Sequence, residues 1–316
     1  MSAIAYDEYE ARKGAVRLQM YRKRLASLPK DGSRPALFLV HGSSMSARGA
    51  FDLTVPGAGN YSVMDEFARR GYDVWTVDHE GYGRSDKTSG NANIADGVRD
   101  LQAAIPVVLR ETGAEHVQMF GQSSGALRAA AYAAQSPERV ERLVLAAFVW
   151  TGEGAPTLIK RRERLAEWQA SNVRMVDPAF YDSMFTRDRP GLSDMAVPKA
   201  MCAFEKPFGG TVPTGTYLDM CANLPVVDPQ DIRCPTMILR GDHDGIAADE
   251  DLLAFFVRLP SKDKQFVMVS GLSHSTHLGF NRHRVHHILD GFLSLPGRRD
   301  PFAVEEATAL LKGAAE

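Results

Sequence analysis

Short apolar runs alternate with stretches of amphipathic spacing along most of the chain. Ala36–His41, Asp73–Asp78, His116–Phe120, Leu143–Val149, Thr236–Arg240 and Gln265–Ser270 are brief and rich in Val, Leu, Ile and aromatic residues, the pattern of strands in a covered sheet. Ahead of them, Val16–Leu25 alternates polar with apolar positions and reads as an edge strand. Between them, helical spacing runs over Ser62–Arg70, Asn93–Thr112, Ala126–Gln135, Asp249–Leu259 and Asn281–Leu293, and Phe302–Gly313 reads as a short terminal helix on the surface. Such an order predicts an α/β fold, a mostly parallel sheet with helices on both faces.

The alternation breaks once. After Leu143–Trp150 the next core strand begins only at Thr236, and the residues between carry helical patches at Leu158–Ala170 and Pro178–Phe185 but no convincing strand. An insertion at the carboxyl end of a parallel sheet lies over the place where such sheets bind ligands. Residues 151–228 therefore read as a helical cap on a core made of 1–150 and 229–316. The cap's charges nearly cancel, so Lys160-Arg161-Arg162 with Arg164 reads as a solvated helix face. Trp150, Trp168, Met184, Phe185, Met201 and Phe204 are apolar enough to line a pocket beneath it.

Composition narrows the class without naming it. The 316 residues are 44% hydrophobic and 24% charged with a formal net charge of −2, which offers no electrostatic footprint for nucleic acid or an anionic membrane. No apolar run approaches the length of a membrane span. The first ten residues lack the basic start and apolar core of a signal peptide, and the three cysteines, Cys202, Cys221 and Cys234, form neither a disulfide framework nor a metal knuckle. A cytoplasmic location is the resulting expectation.

The chemistry concentrates in Gly121-Gln122-Ser123-Ser124-Gly125, the chain's G-x-S-x-G, set between an apolar run and a helical stretch. That context predicts a sharp strand-to-helix turn with the Ser123 hydroxyl lifted clear of the sheet. Ser124 is the rival nucleophile, but only Ser123 has glycine two positions away on both sides. A serine hydroxyl needs a base, and the base needs a third group to orient it. Gly241-Asp242-His243-Asp244-Gly245 and Gly271-Leu272-Ser273-His274 follow two successive strands, so both project toward the rim of the turn.

With His41-Gly42 ending the first core strand and Asp78-His79-Glu80-Gly81-Tyr82-Gly83-Arg84-Ser85 following the second, the chain resembles a capped α/β-hydrolase over nearly all of Ala36–Leu293. The resemblance implies an α/β-hydrolase fold with the cap inserted after the sixth core strand. It implies Ser123 as nucleophile, Asp244 as acid and His274 as base, with Asp242 and Glu153 as rival acids. Backbone amides of Ser124 and of Ser43, with Ser44 as the alternative to Ser43, would form the oxyanion hole. Related enzymes acting on haloalkanes or epoxides carry aspartate at the nucleophile position, which Ser123 argues against. No metal or organic cofactor is required.

The expected activity is hydrolysis of a small ester, thioester or lactone through an acyl-enzyme, with a small-molecule acyl compound as the partner. Carbon–carbon bond hydrolysis, peptidase action and perhydrolysis use the same triad. A carbon–carbon hydrolase would favour a basic side chain facing the pocket, for which Arg48 and Arg128 are the candidates. A ligand receptor on the same fold is the reading from another class, and an apolar cap edge could mediate a homodimer. His277 is placed at the mouth of the site or the start of the last helix, His283 and His287 on the surface, and His41 in a structural hydrogen bond.

Overall fold

The computed structural model describes residues 3–27 and 34–297; the helix expected at Phe302–Gly313 lies outside the described residues. Along the chain come β1 (Ile4–Lys13), β2 (Val16–Leu25), β3 (Ala36–Val40), the short strands β4 (Asp52–Thr54) and β5 (Asn60–Ser62), then β6 (Asp73–Val77), β7 (Val117–Gln122) and β8 (Val140–Ala146). A second short pair, β9 (Val173–Met175) and β10 (Thr211–Pro213), precedes β11 (Thr236–Gly241) and β12 (Lys264–Val269). Eight of these form one sheet in the order β1-β2-β6-β3-β7-β8-β11-β12. β1, β2 and β6 pair antiparallel, and from β6 to β12 every pairing is parallel. This is the α/β-hydrolase fold expected from the chain.

Both faces of the sheet are covered, which is why its strands read as continuous apolar runs. In β3, Phe38 and Val40 pack into one apolar layer while Leu37 and Leu39 enter the other, as the two-residue pleat requires. The helices begin with α1 (Ala47–Phe51), α2 (Val63–Arg69), α3 (Ile94–Thr112) and α4 (Ser124–Gln135). The first layer holds α3 and α4 through Leu101, Ile105 and Leu127, and the second holds α2 through Phe67. Caps legible in the sequence set helix starts: Ser62 accepts from Asp65 N–H at the head of α2, and Asn93 and Asp96 make a reciprocal capping box at the head of α3.

The edge of the sheet differs from expectation. β2 was expected to be the edge strand, but β1 lies outside it, joined by a two-residue turn with Gly14 at φ 59°. Charged residues spaced along β1 hide its period, and an edge strand tolerates them. β8 ends at Ala146, three residues before the expected Val149, because Ala147 turns the chain out of the sheet at φ 49°.

Between β8, the sixth main-sheet strand along the chain, and β11 lie α5 (Pro156–Arg162), α6 (Leu165–Ala170), α7 (Pro178–Thr186), α8 (Ala196–Glu205) and α9 (Gly215–Ala222). The single patch Leu158–Ala170 divides into α5 and α6, and the segment also contains the β9–β10 pair, where no strand was expected. Three-residue strands are too short to show a period; their pairing is a tertiary event. α10 (Asp249–Arg258) and α11 (Arg282–Leu293) complete the fold. Among the described residues no helix is long and apolar enough to cross a membrane.

Candidate active site

β7 passes into α4 through Ser123, held at φ 59° and ψ −125°, a conformation few non-glycine residues adopt. The flanking glycines are a steric necessity. A Cβ at Gly121 would sit 2.6 Å from Ala126 Cα, and one at Gly125 would collide with the carbonyls of Val40 and His41. The Ser123 N–H donates to the Ala146 carbonyl at 2.9 Å, which anchors the turn to the neighbouring strand.

Because β7, β11 and β12 are parallel, their carboxyl ends bring three loops to one rim. Ser123 Oγ lies 2.9 Å from His274 Nε2, and His274 Nδ1 lies 2.9 Å from Asp244 Oδ1. Asp244 is fully buried. Burial alone would raise its pKa, but His274, the Ile246 N–H at 3.0 Å and the field of Arg187 hold it below the usual carboxylate range. The imidazole therefore faces an anion on one side and a hydroxyl on the other. Gln122, an x position of the motif, completes the support: its amide donates to the His274 carbonyl at 2.6 Å and accepts from the Thr276 hydroxyl at 3.0 Å.

The rival acids lie elsewhere. Asp242 accepts from Ser270 Oγ at 2.9 Å and from the N–H groups of Gly271 and Leu272 at 2.9 and 3.2 Å, so it shapes the loop that carries His274. Its hydrogen bonds go to that neighbouring loop. Glu153 is exposed.

Ser43 and Ser124, the residues named for the oxyanion hole, lie side by side: the Ser43 hydroxyl donates to that of Ser124 at 2.8 Å, tying the loop after β3 to the first residue of α4. The Ser43 carbonyl accepts from Tyr82 at 3.2 Å and from Arg174 Nη2 at 2.8 Å, and Arg174 Nη2 also reaches Ser44 Oγ at 2.9 Å. Further along the loop, Ser46 donates to Glu205 of α8 through its N–H at 2.9 Å and its hydroxyl at 2.6 Å. Burial pushes the Glu205 carboxyl up to about 7 despite those bonds. Asp78 holds the base of the loop, accepting from the N–H groups of Ala47 and Arg84 at 2.8 and 2.9 Å, and burial raises it to about 6.

Ser123 opens into a chamber of about 40 Å³ lined by Gly42, Ser43, Ser44, Met184, His274 and His277 among others. Beyond it lies a cavity of about 770 Å³ that includes Lys160, Arg164, Trp168 and Arg174. Arg161, Arg187 and Tyr217 line both spaces and form the neck between them. Arg161 overturns part of the solvated-face reading, since it turns inward, stacking 3.8 Å from the centroid of Tyr217. Arg164 stays exposed on the outer cavity, paired with Glu167 at 2.6 Å.

Arg48 and Arg128 line neither space. Arg48 pairs with Asp52 at 3.2 Å on the outside, and Arg128 is buried against the His41 carbonyl. Of the apolar residues expected at the pocket, Met184 lines the chamber and Trp168 the outer cavity, while Trp150 borders a separate cleft with Val226 and Arg258. Phe185 and Met201 are core residues, and Phe204 packs at its edge. His277 is buried beside the chamber, bonded to the Ala50 carbonyl at 3.0 Å, and burial lowers its pKa to about 4. His283 and His287 are exposed. His41 is enclosed, bridging the Gly42 carbonyl and the His79 N–H.

Sequence reasoning missed the residues that the covering segment contributes: Arg161, Arg174, Arg187, Tyr217 and Glu205. They lie on separate elements with no motif to join them. The basic run that carries Arg161 was the only available hint.

A family model described as serine aminopeptidase, S33, matches residues 57–279, more than two-thirds of the chain. The chain is also 36% identical, over 126 residues, to a 2-hydroxy-6-oxononadienedioate/2-hydroxy-6-oxononatrienedioate hydrolase of Paraburkholderia phymatum; that stretch is 39% of this chain and spans only 38% of the relative. Among solved structures, E-2-(acetamidomethylene)succinate hydrolase is similar at a TM-score of 0.67 with 18% identity, covering 92% of this chain and 99% of that one. A 2-hydroxy-6-oxo-6-phenylhexa-2,4-dienoate hydrolase from Rhodococcus sp. strain RHA1 gives 0.64 with 15% identity over 92% of this chain and 99% of its own.

Proposed function

Because the chain belongs to the α/β-hydrolase family described as serine aminopeptidase, S33, we propose that it is a serine hydrolase that splits a carbon–carbon bond beside a carbonyl in a small carboxylate-bearing acid. One observation carries the reading: the Ser123–His274–Asp244 relay opens into a chamber whose neck is lined by Arg161 and Arg187. The basic side chain that such a substrate calls for is present, on residues other than those expected. The names of the relatives, hydrolases of dienedioates and dienoates, point the same way.

In this reading residues 151–228 are the cap. His274 takes the Ser123 proton as the hydroxyl attacks the carbonyl, and Asp244 holds the imidazole tautomer and balances the imidazolium. The amides of Ser43 and Ser124 receive the oxyanion, the latter with the favourable end of the α4 dipole. The carbon–carbon bond breaks, its electron pair leaves on the carbon conjugated to the carboxylated portion, and His274 returns the proton there. Water activated by the same imidazole then releases the acyl group. The chamber of about 40 Å³ suits a short acyl group, with the larger anionic portion in the outer cavity.

Ester, thioester or lactone hydrolysis would use the same acyl-enzyme and differs in its leaving group. An aminopeptidase would have to draw a substrate ammonium past Lys160, Arg161, Arg174 and Arg187, which the charge of the neck disfavours. The test is steady-state turnover of a 2-hydroxy-6-oxo-dienedioate beside a series of neutral aryl esters, in wild type and Ser123→Ala. Turnover of the diacid that vanishes in the variant is expected. Cleavage of esters alone would move the assignment to ester hydrolysis, and a variant within a few fold of wild type would end the serine mechanism.

A further inference from the structure

Tyr217 lies between two guanidinium groups. Arg161 on α5 is 3.8 Å from its ring centroid and Arg174 on β9 is 3.9 Å away. Two groups of that width cannot share one face of the ring at that height, so they flank it from opposite sides. The Trp168 ring stands perpendicular to it, with centroids 5.3 Å apart and planes at 89°. Among the described residues, neither guanidinium has a carboxylate within 4.0 Å. Arg174 is buried and its Nε makes no hydrogen bond, and burial works against the charge on Arg161.

Two cations held so close in a half-dry neck need a counter-charge, because an uncompensated buried charge is strongly unfavourable. A neutral phenol gives each only a cation–π contact. A phenolate would serve as a counter-ion, and so would a carboxylate from outside.

We propose that Arg161, Arg174 and Tyr217 form a binding subsite for a substrate carboxylate, and that Tyr217 takes up one proton as the carboxylate arrives. In the empty site two guanidiniums and a phenolate carry a net charge of +1. In the occupied site two guanidiniums, a neutral phenol and the carboxylate carry the same charge. The proton comes from solvent, no other bond changes, and the neck exchanges its own anion for the ligand's. Arg174 also holds the Ser43 carbonyl and the Ser44 hydroxyl, so the arriving carboxylate bears on the residue that positions the loop beside Ser123. The subsite rests on the proposed hydrolase reading only in taking its ligand to be the substrate.

The electrostatics of the ring support the exchange. Burial alone would raise the Tyr217 pKa; Arg161, Arg174, Arg187 and a hydrogen bond with Ser44 outweigh it and bring the phenol down to about 7. Other titratable or charged groups face the same spaces: Lys160 and the Arg164–Glu167 pair from the helices, Asp188 beside Arg187, His243 from the loop after β11, and His274 and His277 from the loop after β12, while the buried Cys221 thiol of α9 acts on Arg161 from the core. Imidazole protonation could also accompany anion binding, so the measurement must read the phenol itself.

Succinate is the probe, titrated into Ser123→Ala protein so that no turnover intervenes. Loss of phenolate is followed by absorbance near 295 nm, and proton uptake by calorimetry in two buffers of different ionisation enthalpy. The expected result is uptake of about one proton per succinate at pH 8.5, with matching loss of phenolate absorbance, and almost none at pH 5.5. Affinity should fall about tenfold per pH unit above 7, as the phenolate becomes the stronger competitor. Tyr217→Phe in the same background should bind with no phenolate signal and a flatter pH dependence, and Arg174→Met should weaken binding at every pH. Succinate that fails to bind, or that binds in the parent protein with no phenolate change between pH 6 and 9, would overturn the proposal without recourse to a variant. Neither result touches the serine mechanism, which fails instead if Ser123→Ala retains turnover.

Discussion

Along the rim of the sheet, Asp244 meets His274 at 2.9 Å and Asp100 lies between His79 and Lys13. Across the cavity, Arg161 and Arg174 share the ring of Tyr217 and no carboxylate among the described residues. The rim is closed on itself electrostatically, and the two guanidiniums above it are left open. Closed pairs hold groups in place for a reaction that is the same for every substrate. Open charges wait for something from outside, and so they bear on which substrate enters. On the proposed reading, chemistry belongs to the loops of the core and selection to the covering segment.

Variants on the two sides should therefore fail in different ways. Ser123→Ala should lower kcat by about a millionfold and Asp244→Asn by about ten-thousandfold, with KM little changed, as read by steady-state kinetics on any accepted substrate. Arg174→Met should act selectively: kcat/KM for a carboxylated substrate should fall roughly a hundredfold more than for a neutral aryl ester. An equal loss on both substrates would mean that Arg174 serves only the loop through Ser43 and Ser44, and the division between the two regions would fail.

A smaller effect joins the regions. Glu205 of α8 is raised from 4.5 to about 7, so the folded state holds its proton more tightly than the unfolded chain does. That contribution to stability is full below pH 4.5 and is lost as pH rises through about 7. Across that window the thermal midpoint of wild type should fall relative to that of Glu205→Gln, which keeps an acceptor for Ser46, while the buried His277, lowered to about 4, adds a slope of the opposite sign to both proteins. Asp242→Asn should have the least effect, a few-fold loss in kcat from a loosened His274 loop, because Asp242 bonds to backbone and Ser270 there and otherwise faces only the half-exposed His243 among the described residues.

Much of the core was legible beforehand because its signals are local. Buried parallel strands read as apolar runs, Asn93 and Asp96 announce a helix start within four residues, and Gly121 and Gly125 mark a bend that admits no Cβ. The edge strand β1 escaped because its exposed face carries charge, and β9 and β10 because three residues hold no period. Asp244 could be preferred over Asp242 only by analogy of spacing; the fold separates them by turning one toward His274 and the other toward Gly271.

Taken alone, the sequence determined the layered sheet, the strained turn at Ser123 and the order in which its two partners follow, because each depends on neighbours a few residues apart. The composition of the neck was decided in three dimensions. Arg161, Arg174, Arg187 and Tyr217 come from α5, β9, the end of α7 and α9, and no period or motif links them. A charge in a string of residues has no stated partner until the chain folds. Only then could one arginine of a basic run turn inward, and one tyrosine come to rest between two cations.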